Sequence, residues 1–147
     1  MSLDPRGQQD LLEQVTQVLV HSLPGGWQGA TVIHRALGSH SETLGQYWLL
    51  NRPTPRLLDP HPALPGLFAR LRSGMYRPQA GTWFTAVFRL DFPFGYQVRY
   101  DHDEPDWRRS APPPGAYAEE LSMHPRSPEN TPPWLPAHAA PETGGGR

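Results

Sequence analysis

Residues 82–107 decide the fold of this chain and read TWFTAVFRL (82–90), DFPFG (91–95), YQVRYD (96–101) and HDEPDW (102–107). Apolar and polar side chains alternate in the first and third segments, which is typical of half-buried β-strands. The segment between them contains Pro and Gly and predicts a turn. The stretch therefore predicts a β-hairpin followed by an acidic loop that ends at Trp107.

The alternation also predicts which side chains of the hairpin face the core. These are apolar or aromatic and comprise Phe84, Ala86, Phe88, Leu90, Phe94, Tyr96, Val98 and Tyr100. On the opposite face, Arg89 and Arg99 are expected to flank each other across the hairpin and to line a shallow basic surface. Two arginines alone are weak support for a nucleic-acid site.

Helical periodicity predicts two helices before the hairpin. An apolar stripe over residues 8–22 marks the first, and the sequence Pro24-Gly25-Gly26 ends it. A second stripe predicts a helix over 63–74. Its C-terminal end carries arginines, which suit the helix dipole there: Arg70, Arg72 and Arg77.

Two further strands are predicted between these helices, over 27–36 and 45–51. Residues 47–50 are apolar at consecutive positions, which predicts a central strand covered on both faces. Prolines punctuate residues 52–65, so this connection is expected to be irregular.

The C-terminal third predicts a short helix over 115–124, docked through Tyr117 and Leu121, with Glu119 and Glu120 facing outward. Residues 125–135 read as irregular chain anchored by Trp134 and Leu135. The expected fold is α+β. It is an antiparallel sheet of about four strands with an N-terminal helix, a second helix before the main hairpin and a short C-terminal helix. Residues 1–135 form one domain, and 136–147 form a disordered tail.

Composition narrows the function classes. The 147-residue chain has no cysteine, which excludes disulfides, thiolate catalysis and cysteine-ligated zinc. Residues 1–20 lack the pattern of a signal peptide, and no apolar run is long enough to cross a membrane, so a cytoplasmic protein without a membrane partner is expected. All basic residues are Arg, which is compatible with a GC-rich genome such as that of an actinobacterium.

Charge is small overall but unevenly distributed. The formal net charge is −1, which argues against direct, general nucleic-acid binding. Residues 1–100 carry nine Arg against six acids, whereas residues 101–147 carry four Arg against eight acids. The acidic third either presents a negative face to a basic partner or is an ordinary solvated surface.

The segment Asp101-His102-Asp103-Glu104 is the one cluster of metal-ligand residue types. Neighbouring residues point in different directions, and the run matches neither a calcium loop nor a zinc deaminase, which would need two cysteines. No other catalytic or cofactor-binding spacing is present, so no metal, cofactor or catalytic residue is predicted. A small metal-dependent hydrolase built on these four residues remains the alternative.

The C-terminal half resembles the YezG-like family of bacterial immunity proteins, which guard against polymorphic toxins. The resemblance rests on short segments that follow in order over about residues 81–135: 81–83 (GTW), 100–107 (YDHDEPDW), 117–121 (YAEEL), 124–126 (HPR) and 132–135 (PPWL). The sequence departs from the family pattern at His124, where an aromatic residue is expected.

This resemblance implies a non-catalytic α+β immunity protein whose partner is a cognate toxin domain, often a nuclease. The contact it suggests is electrostatic: Asp101, Asp103, Glu104 and Asp106 would meet the basic surface of the toxin, and Trp107 would be an anchor. Alternatively, Asp101 and Glu104 cap the loop and Trp107 closes the core. A regulatory subunit that binds another protein through the same face is not distinguished from an immunity protein by sequence.

Overall fold

The computed structural model describes residues 2–139. Within this range five strands form one antiparallel sheet in the order β3-β2-β1-β4-β5. Their bounds are β1 Trp27–Leu37, β2 His40–Leu49, β3 Arg56–Leu58, β4 Thr85–Asp91 and β5 Gly95–Asp101. The α+β prediction is confirmed, and so is the main hairpin, β4–β5. The expectation that the connection 52–65 is irregular is wrong at β3, because an edge strand tolerates prolines beside it.

Four α-helices lie in the described part of the chain: α1 Pro5–Ser22, α2 Ala63–Gly74, α3 Gly115–Met123 and α4 Trp134–Ala139. Helix α1 starts one turn before its predicted start because Asp4 caps it: the backbone N–H of Gly7 donates to Asp4 Oδ1 at 2.7 Å. Helix α2 has its predicted bounds. None of these helices has the length and apolar character needed to cross a membrane.

Helices α1 and α2 cover one face of the sheet and bury the main core. The helices contribute leucines together with Val15 and Phe68, and the strands contribute alternate residues: Ala30, Val32, Ala86, Phe88 and Leu90. The alternation predicted for β4 is confirmed from Ala86 onward, because one face of a strand packs on the helices.

Phe84 does not share the face of Ala86. Strand β4 begins at Thr85, whose partner in the hairpin is Asp101. The backbone N–H of Phe84 also donates to the carbonyl of Asp101, so the pairing is shifted by one residue at this point. Trp83 consequently enters the main core and Phe84 enters a second, smaller cluster. Both side chains are therefore buried, Trp83 in the main core and Phe84 in the second cluster.

The second cluster is formed by Leu37, Phe84, Ala116 and Leu135, with Trp134 packed edge-on against Phe84 at a ring distance of 4.9 Å. The predicted anchoring by Trp134 and Leu135 is confirmed. Residues 136–139, expected to begin the tail, continue α4. The remainder of the predicted tail, 140–147, lies outside the described residues.

The prediction that the second strand is covered on both faces is wrong. Strand β2 lies between β1 and the three-residue β3, and its residues 43–49 are only half-buried. Leu50 lies beyond the strand and is exposed. The apolar run 47–50 reflects one face packed on the helices and one face that no helix of the described chain covers.

Candidate partner-binding site

The predicted site is the acidic loop, which we define as residues 101–107. It begins where β5 ends. The backbone N–H of Asp103 donates to Asp101 Oδ1 at 2.7 Å, which turns the chain immediately after the strand. Asp101 is therefore half-buried and engaged in the fold of the loop, as the alternative interpretation of this residue expected.

The far end of the acidic loop is held by a buried carboxylate on β2. Glu42 accepts the backbone N–H groups of Arg108 at 2.9 Å and Arg109 at 3.0 Å, and Arg35 Nη1 lies 3.0 Å from the same side chain. Burial by itself would raise the pKa of Glu42, but these two N–H groups and then Arg35 more than offset it, so the pKa is lowered. The carboxylate is thus ionised and fixes the chain after Trp107.

The middle of the loop is held by packing. Pro105 is buried, and the ring of Trp107 lies 4.8 Å from that of His40. Trp107 is half-buried against the second cluster, and its buried Nε1 has no hydrogen-bond partner among residues 2–139. The geometry gives Trp107 a structural part in positioning the loop, and its role as a partner anchor stays a prediction.

The remaining acids of the loop point into solvent. Asp106 Oδ2 lies 2.8 Å from Nη2 of Arg108, and Glu104 Oε2 lies 3.5 Å from Nε2 of His138. Both pairs are well exposed, so each contributes little to stability. Asp103 is exposed and makes no ion pair within the described chain. Asp103, Glu104 and Asp106 therefore form a negative surface on a fixed backbone.

The metal-site alternative gains no support from this arrangement. Among residues 2–139, no three His, Asp or Glu side chains are grouped so that they could hold a metal ion. Asp101, His102, Asp103 and Glu104 follow one another directly after β5, and the backbone N–H of Asp103 already occupies Asp101 Oδ1.

A buried ion cluster is centred on Glu120 of α3, and the sequence did not predict it. Glu120 was expected to face outward, but its side chain is fully buried, and this prediction is wrong. Its Oε2 lies 2.8 Å from both Arg72 Nη2 and Arg126 Nη2. Its Oε1 accepts the backbone N–H of Gly38 at 2.8 Å.

The expected docking residues of α3 are Tyr117 and Leu121, and both are half-buried against the second cluster.

The ion cluster keeps Glu120 charged. Burial would raise the pKa of Glu120. The hydrogen bond with His124, the charge and hydrogen bond of Arg72 and the N–H of Gly38 reverse that effect and lower the pKa to about 2. His124, where the YezG-like pattern expects an aromatic residue, thus contributes a polar contact to this cluster. The only signal in the sequence was the spacing of Ala116 and Glu120, which places both on one face of α3.

The chain was compared with known proteins. No model of a known protein family matches it, and no curated protein matches it significantly. The YezG-like resemblance therefore stays a prediction from the residues that carry it.

Proposed function

We propose that this protein is an immunity protein, which binds a cognate toxin domain and holds it inactive without catalysis of its own. The proposal takes up the YezG-like resemblance and gives the acidic loop as the contact surface. The encounter would take place in the cytoplasm, where the sequence predicts the protein to be.

The observation that carries the proposal is the fixed backbone beneath the exposed acids. The loop is held by Asp101 at its start, by buried Pro105 in its middle and by Glu42 after its end. A surface that is ordered before binding loses little conformational entropy when a partner docks. The arrangement favours recognition by shape and charge.

The charge of the loop suits a basic partner. Asp103, Glu104 and Asp106 are exposed and project from one short segment. A toxin that acts on nucleic acid presents Arg and Lys to phosphates. Acids that face such a surface accelerate association and compete with the phosphates. In this proposal these three residues contact the toxin, whereas Asp101 and Trp107 hold the loop in place.

The test is co-purification of the full chain with the product of the adjacent gene, followed by binding kinetics at several salt concentrations. The variant Asp103→Asn/Glu104→Gln should keep its circular dichroism spectrum and associate roughly tenfold more slowly at low salt. The matched control is Asp10→Asn/Asp59→Asn, which removes the same charge from two exposed acids outside the loop. It should bind like the wild type.

Two outcomes would count against the proposal. A complex that loses equal affinity in both double variants would show a general charge effect and would remove the loop from the interface. The absence of a complex with any neighbouring gene product would contradict the immunity function itself.

A further inference from the structure

The two edge strands of the sheet, β3 and β5, differ in how open they are to pairing with a further strand. Strand β3 is only three residues long and lies between Pro55 and Pro60, which limits its use as a template for another strand. Strand β5 has seven residues without proline, and no strand of residues 2–139 pairs with its outer edge. An open edge of this kind presents unpaired backbone groups to a second chain.

The register identifies which backbone groups of β5 are free. Between β1 and β4, the N–H of Ala36 donates to the carbonyl of Phe84, and the N–H of Phe92 donates to the carbonyl of Gln28, each at 2.9 Å. The even-numbered residues of β4 therefore bond to β1, and its odd-numbered residues bond to β5.

In the β4–β5 register, odd-numbered residues pair with one another: Thr85 with Asp101, Val87 with Arg99 and Arg89 with Gln97. The backbone groups of Tyr96, Val98 and Tyr100 consequently point away from β4, toward the open edge.

We propose that this edge pairs with β5 of a second copy of the chain, antiparallel about a twofold axis at Val98. Val98 is the middle residue of Gly95–Asp101, so this register pairs the strand along its whole length. It also places the free N–H and C=O groups of Tyr96 opposite those of Tyr100 in the second copy. The two sheets then continue into one another through an isologous interface.

Strand length favours this register over its neighbours, because an axis at any other residue leaves part of Gly95–Asp101 unpaired, and charge argues against one of them. A twofold axis at Arg99 would place two guanidinium groups directly opposite each other, which is unfavourable. An axis at Tyr100 would pair Arg99 with Asp101, but it would place residues 95–98 beside the acidic loop of the second copy, where β5 has ended. With the axis at Val98, Arg99 lies opposite Gln97, and the acidic loops leave from opposite ends of the paired strands.

The side chains on the helix-covered face suit the same register. Tyr96 stacks on Phe88, and Tyr100 stacks on Trp83, each at a ring distance of 5.4 Å. Pairing Tyr96 with Tyr100 of the second copy joins these two stacks into one aromatic row. The second copy would also lie beside a cavity of about 370 Å³ between α1, Tyr96 and Phe94, whose side chain is 70% exposed.

Sedimentation velocity of the full chain over a range of concentrations tests the proposal, with a concentration-dependent dimer expected. Val98→Pro removes only an outward-facing N–H, so it should abolish the dimer and leave the circular dichroism spectrum unchanged. Val98→Thr retains the N–H and the branched side chain and should still dimerise.

Gln97 supplies a test that does not disturb the backbone, since its side chain is exposed. Gln97→Glu places a carboxylate opposite Arg99 of the second copy twice per dimer and should tighten the dimer roughly two- to thirtyfold. Gln97→Arg places like charges there and should weaken it by a similar factor. If Val98→Pro impairs folding, the opposite effects of Gln97→Glu and Gln97→Arg on the dimer test the proposal instead.

A chain that stays monomeric at every concentration overturns the proposal. So does a dimer that responds to neither Val98→Pro nor the Gln97 variants, because it must form elsewhere. Strand pairing seen only with a different protein would show that this edge serves another partner. None of these outcomes bears on toxin binding by the acidic loop, so the two proposals fail separately.

Discussion

Nη2 of Arg72 lies 2.8 Å from Oε2 of Glu120, and this ion pair connects the two apolar clusters. Arg72 belongs to α2, which packs in the main core, and its Nε donates to the carbonyl of Trp83 at 2.6 Å. Glu120 belongs to α3, which packs in the second cluster. A buried ion pair contributes little net stability compared with apolar residues, but losing one partner is costly.

Glu120→Gln is therefore expected to lower the free energy of unfolding by about 3–5 kcal/mol, because it leaves Arg72 and Arg126 buried without a counter-charge. Urea denaturation at neutral pH measures the loss. The control is Glu119→Gln at the next position, which is half-buried and accepts hydrogen bonds from Ser39 but pairs with no buried arginine, and it should cost much less. Equal losses in the two variants would contradict the role given to the ion cluster.

His34 makes the stability depend on pH. Burial, and then the charge of Arg72, lower the pKa of His34 from 6.5 to about 4, so the folded protein holds it neutral. The unfolded chain binds a proton as the pH falls below about 6.5, whereas the folded chain does not until about 4. The contribution of His34 is thus fully present above 6.5 and is lost between these values, by about 3 kcal/mol in total.

The measurement is the free energy of unfolding between pH 7 and 4.5. His34→Gln should flatten its slope over this range, whatever its effect at pH 7. His21→Gln, at an exposed position on α1, should leave the slope unchanged. A slope that persists in His34→Gln would place the titrating group elsewhere.

Leu135 tests whether α4 belongs to the folded domain. It is fully buried with Leu37, Phe84 and Ala116, so Leu135→Ala should cost about 2–5 kcal/mol through lost contacts and a cavity. Leu57→Ala makes the same chemical change at a position that is 90% exposed and should change stability by no more than about 0.5 kcal/mol. Thermal or urea unfolding compares the two, and a negligible loss at Leu135 would mean that α4 is dispensable.

Periodicity predicted the helices and the hairpin because each buries one continuous face. The bounds of α2 and the inward face of β4 from Ala86 onward followed from spacing alone. Strand β3 was missed because three residues among prolines carry no periodic signal. Phe84 faces away from Ala86 because the pairing between β4 and β5 shifts by one residue there. The spacing of residues within one strand does not reveal how that strand pairs with another.

The acidic loop was predicted as a segment, but the roles of its residues were not. Whether an acid is exposed depends on partners distant in sequence: Glu42 contacts the backbone at Arg108, 66 residues away. Glu120 was misplaced for the same reason, since the arginines that neutralise it lie on α2 and after α3. Local sequence shows the charge of such residues and leaves their counter-charges unknown.

The acidic loop separates the residues that fold the chain from those that face outward. Its backbone is fixed by Asp101, Pro105 and Glu42, whereas the side chains of Asp103, Glu104 and Asp106 contribute little to folding. Selection can therefore change the exposed positions one at a time without passing through an unfolded intermediate. The loop is suited to diversification: descendants of this chain can acquire new surface chemistry there while inheriting the same scaffold.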